Sequence, residues 1–111
     1  MGFNYIEEKL KENAILMKVS GPMDGMSAEE EPFYEKLAEY VAKNNYVIID
    51  IAKLKYFNDL APLNIMRIDL SQGKGVIKLV VASPFVRQLL MTFMGDFPMY
   101  ESLESALKSI S

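Results

Sequence analysis

Apolar and polar positions alternate between two periods along this chain, and the switches mark its elements. "NYIEEKL" and "AILMKV" are strand-like runs joined by the turn "KEN", which predicts an opening hairpin. "SGPMDGMS" follows as a loop dense in Gly, Pro, Asp and Ser. Phe33, Leu37, Tyr40 and Val41 then recur at helical spacing as one apolar stripe. The acidic run at 29–31 sits at the head of that helix, where negative charge meets the positive end of the dipole. Pro32 fits only its first turn, and "KNN" at 43–45 closes it.

"YVIIDI" and "VIKLVVA" are nearly continuous apolar runs, each predicting a strand covered on both faces. Between them "LAPLNIMRIDL" reads as a helix ended by "SQGKG". Ser83 and Pro84 open the next helix as cap and first residue. Its inward stripe is expected from Phe85 or Val86, Leu89, Leu90 and Phe93. "DFPMY" holds a short edge strand, since Pro98 cannot donate to a central ladder. Ser102 caps a last helix with Leu103, Ala106, Leu107 and Ile110 inward. After the hairpin, strands and helices alternate, so the fold class is α/β: a mixed, mostly parallel sheet with helices packed against it. No repeat or linker interrupts residues 1–111, which are expected to form a single domain.

Composition narrows the chemistry. A net charge of −3 and a pI near 4.9 argue against a nucleic-acid partner, which calls for a basic face. No apolar run approaches the ~18–20 residues that span a bilayer, and the first residues lack the basic start and apolar body of a signal peptide. Tyr5 and Ile6 also stand where a myristoylation motif needs Ser or Thr. The expectation is a cytoplasmic protein without direct membrane insertion, which the absence of cysteine fits. With neither Cys nor His, thiol nucleophiles, Ser-His-Asp machinery, zinc sites and imidazole acid–base work all fall away. "GKG" at 73–75 lacks phosphate-loop spacing and reads as a turn. No enzyme, metal or cofactor is expected.

Three strings in order resemble the STAS domain, the fold of bacterial anti-sigma factor antagonists and of sulfate-transporter tails. They are "ILMKVSGPMD", "YVIIDIAKLKYFND" and "IKLVVASPFVRQLLMTFMGDFPMYESLESAL", and together they cover almost the whole chain. The resemblance implies a turn of the form D-S-S/T-G after the central strand, whose Ser is phosphorylated by an anti-sigma kinase. This chain reads Asn58-Asp59-Leu60-Ala61 there, so Asp59 stands at the phosphoacceptor position and Ala61 replaces the Gly. The nearest downstream Ser is Ser71.

Two readings of Asp59 stand side by side. As an N-cap its carboxylate accepts the Ala61 N–H, and Pro62 becomes the third helical residue, whose N–H has no intrahelical partner in any case. As a permanent anion it is a partial mimic of phosphoserine, carrying one charge where phosphate carries about two. Asp24 matches the Asp of the loop after the second strand, which in relatives lies near the phosphorylation turn; beside Gly25 it also reads as a plain turn former. Met23 and Met26 are expected in that loop as an adaptable contact surface, while other methionines fill the core. Lys53 and Lys55 flank Leu54 as a solvated edge.

The resemblance implies a non-catalytic domain, a monomer or weak dimer, that docks Asn58, Asp59, Leu60, Ala61 and Pro62 onto a protein. The partner it implies is a serine-kinase anti-sigma factor. A scaffold or accessory subunit of a transporter ATPase or stress-signalling complex is the alternative, and a nucleotide sensor is a third class.

Overall fold

The computed structural model describes residues 2–43, 45–71 and 75–110. β1 (Asn4–Lys11) and β2 (Ala14–Met23) form the predicted antiparallel hairpin. α1 (Glu31–Ala42), β3 (Tyr46–Phe57), α2 (Leu60–Ser71), β4 (Val76–Val80), α3 (Pro84–Met94), β5 (Met99–Tyr100) and α4 (Leu103–Lys108) follow. The sheet runs β1-β2-β3-β4-β5, with β2 to β5 parallel and β1 antiparallel. Asn44 and the residues of the expected "QGK" turn lie outside the described residues.

The central strands are covered on both faces, as their unbroken apolar runs predict. Val47 and Ile49 join Phe33, Leu37, Val41, Ile65 and Leu90 in a large core under α1, α2 and α3. Ile48, pointing the other way, joins Ala14, Leu16, Val80, Ala106 and Ile110 in a smaller core under α4. Ser83 and Ser102 cap their helices as expected, accepting from Val86 N–H (3.2 Å) and Ser105 N–H (3.1 Å).

Two expectations change. β2 does not end at Val19 but continues through Gly21 and Pro22 to Met23, because β3 also continues and pairs with it up to Phe57. Pro22 is tolerated because β1 pairs only as far as Ser20, leaving that part of β2 at an edge. Within the acidic run at the head of α1, Glu30 is 1% exposed. On α3 the inward residues are Leu90 and Met94, with Val86 and Phe93 half-buried, while Phe85 and Leu89 turn outward.

Candidate functional site

The β2–α1 loop and the head of α2 leave the sheet at the carboxyl ends of parallel strands, where open α/β sheets gather their sites. Glu30 holds this end together. Its Oε2 accepts the Asp24 N–H at 2.8 Å, and its Oε1 accepts the Gly25 N–H at 2.8 Å and the Tyr34 hydroxyl at 3.0 Å. Burial pushes the Glu30 carboxyl above its ordinary range, the Asp24 carboxyl adds to that rise, and the two backbone donors oppose it. Burial likewise pushes the Tyr34 phenol up.

Asp24 is exposed, and its Oδ1 accepts N–H bonds from Met26 (2.8 Å) and Ser27 (2.9 Å). Those donors, the Met26 amide foremost, hold its carboxyl below the ordinary range. This is the turn-forming role written in the Asp-Gly pair. Gly25 has φ of +84°, and a Cβ there would lie 2.6 Å from Leu60 Cβ and 2.9 Å from the Ala61 nitrogen. The loop therefore lies directly on the first turn of α2, which only glycine permits. Asn64 locks the contact from α2, its Nδ2 donating to the Gly25 carbonyl at 2.8 Å.

At the head of α2 the Leu63 N–H donates to the Asp59 carbonyl at 3.3 Å, so Asp59 is the N-cap by backbone and Pro62 is the third helical residue, the expected register. The side-chain cap differs from expectation. Leu60 N–H donates to Asn58 Oδ1 at 3.0 Å, and among the described residues no hydrogen bond reaches the Asp59 carboxylate. Asn58 thus supplies the oxygen, in an Asx turn, and Asp59 is left exposed.

Of the residues expected to touch a partner, Asp24, Met26, Asp59 and Leu60 share this exposed end, with Met26 78% and Leu60 37% exposed. Asn58 is half-buried. Met23, Ala61 and Pro62 are not available. Met23 is the last residue of β2 and 2% exposed, because the strand carries it into the large core instead of a loop. Ala61 is 1% exposed beneath Gly25, and Pro62 is buried beside it. Glu30, Tyr34 and Asn64 were not singled out from the sequence; the only available hint was a Glu-Tyr pair four residues apart at a helix head. Among the described residues no cluster of acidic side chains could hold a metal ion, and no helix is long and apolar enough to cross a membrane.

No family model matches the sequence, and no curated protein is significantly similar to it. Solved structures are. An anti-sigma factor antagonist from Mycobacterium paratuberculosis superposes with a TM-score of 0.71 at 16% identity, over 98% of this chain and 94% of that one. The fold is that of the anti-sigma factor antagonists. The antagonist SpoIIAA in its unphosphorylated form gives 0.69 at 16% identity, over 96% of each chain. The phosphorylated form of the Bacillus cell fate determinant SpoIIAA gives 0.64 at 16% identity, over 97% of this chain and 100% of that one. At such identity the likeness speaks for fold.

Proposed function

We propose that this protein is a non-catalytic docking domain of the STAS type, whose recognition end is the head of α2 together with the Asp24–Met26 loop. The observation that carries this reading is the exposed Asp59 at the backbone N-cap of α2, beside exposed Leu60 and Met26. A carboxylate at a helix N-terminus is held by the helix dipole and remains free for a partner. The partner is a serine-kinase anti-sigma factor, by likeness to antagonists known in phosphorylated and unphosphorylated forms. Asp59 occupies the position of the phosphoacceptor serine, so the protein carries a fixed negative charge and associates without a covalent switch. Reduced in charge and acceptor number relative to phosphoserine, Asp59 tunes affinity instead of toggling it.

The test is titration of the purified protein with serine-kinase anti-sigma factors in the presence of ATP. Binding without phosphate incorporation is expected, and Asp59→Ser is expected to become a substrate. Incorporation into the unaltered protein would show that another residue serves as acceptor. Failure to bind any such kinase, with capture of a transporter ATPase subunit instead, would favour the scaffold reading.

A further inference from the structure

β4 leaves the sheet at Val80, opposite Asp50, whereas β3 continues from Ile51 to Phe57 with only β2 beside it. The side that β4 abandons faces α3 across a groove of about 360 Å³. Leu54, Lys55, Tyr56, Phe85 and Leu89 line it. Both walls show apolar surface to solvent, with Tyr56 54%, Phe85 76% and Leu89 40% exposed. A strand offers backbone N–H and C=O groups to both sides, and β2 can satisfy only one of them.

The outer edges of the sheet carry charge of both signs or are very short, whereas the charge beside this notch is positive alone. β1 carries exposed Glu7, Glu8, Lys9 and Lys11, and β5 is two residues long. In the notch, a bulge in the β2–β3 register falls at Lys55, which has no cross-strand partner and lines the groove. Lys55 is the one charged side chain among the described lining residues, and exposed Lys53 stands two residues before it. In a molecule of net charge −3 this is a local positive rim. A second copy of the chain is a poor occupant. Two-fold pairing of β3 edges centred on Leu54 sets Lys53 of one copy opposite Lys55 of the other, and like charges directly opposed destabilise a ladder.

We propose that this groove takes an extended segment of another protein, added as a strand beside β3. Its acidic side chains lie over Lys53 and Lys55, and its apolar ones pack between Tyr56, Phe85 and Leu89. Six or seven residues in this conformation reach about 20 Å. Main-chain bonds supply affinity and the alternate side chains supply selectivity, as in other strand-addition sites. Asp59 is not among the groove's lining residues, which end at Phe57 on this side, and the proposal does not require the kinase reading to hold.

The probe is the fluorescein-labelled peptide acetyl-Thr-Val-Glu-Val-Glu-Val-Thr-amide, titrated with the full chain by anisotropy. Saturable binding is expected. N-methylation of alternate amides, made in both registers, should weaken it about tenfold in one register and little in the other. Lys55→Glu and Phe85→Ser, both exposed positions, should each weaken binding about fivefold with melting temperature unchanged. A peptide with Lys in place of Glu should recover binding to Lys55→Glu. Asp59→Ser should leave peptide affinity within about twofold, so that loss of kinase docking with retained peptide binding fails only the earlier reading. The proposal is overturned by no anisotropy rise up to about 1 mM peptide, by equal affinity of both N-methylated peptides, or by groove variants that bind like the parent. Sedimentation showing a dimer that Phe85→Ser dissolves would assign the groove to a second copy instead.

Discussion

Asn58 and Asp59 are neighbours with separate jobs, and single substitutions should separate them. Asn58→Ala removes the side-chain oxygen that accepts the Leu60 N–H and should cost about 1 kcal/mol. Asp59→Ala loses only a charge–dipole attraction, about half a kcal/mol, and urea unfolding of the two variants checks the order. Glu30 gives a pH signature. Its folded carboxyl titrates above its unfolded value of 4.5, so the folded state binds the extra proton in that window. Stability from this group is therefore fully present below the unfolded value and is lost as pH rises through the folded one. Asp24 runs the opposite way: its folded value lies below 3.8, so its contribution is present above that and lost on further acidification. Glu30→Gln should flatten the first dependence, measured as unfolding free energy across mildly acidic pH. It should also destabilise at neutral pH, because an amide offers one acceptor oxygen where the carboxylate accepts at two. The Asp24 turn was readable from Asp-Gly in the sequence. Glu30 was not, because three successive glutamates give no local sign of which one a neighbouring loop will bury.

Where elements meet, glycine sets the spacing. Gly25→Ala puts a methyl 2.6 Å from Leu60 Cβ at a positive φ, so the loop must lift off α2 or the helix must shift. A loss of about 2 kcal/mol or more is expected, together with faster amide exchange at Asp24 and Gly25, whose N–H groups Glu30 holds. The caps of α3 and α4 were legible because Ser followed by Pro or by an apolar stripe acts within one helical turn. The outward turn of Phe85 and Leu89 was not, since a helix with apolar residues on more than one face does not reveal which face the sheet will meet.

Over the whole molecule, β3 joins two cores, with Ile49 buried on one face and Ile48 on the other. Either residue changed to Ala should cost about 3 kcal/mol, despite the smaller size of the core under α4. Because one strand belongs to both, unfolding should remain a single transition, with far-UV circular dichroism and tyrosine fluorescence coinciding. Separate transitions would mean that α4 and its core melt independently. The sequence by itself determined the order of elements, the hairpin, the doubly covered strands and the helix starts, because these follow from periodicity and from contacts within a few residues. Only the tertiary structure decided how far β2 and β3 run, that Met23 is core, and that β3 keeps an open edge. Each of those depends on a neighbour distant in sequence, and a strand or side chain has no local means of registering whether that neighbour is there.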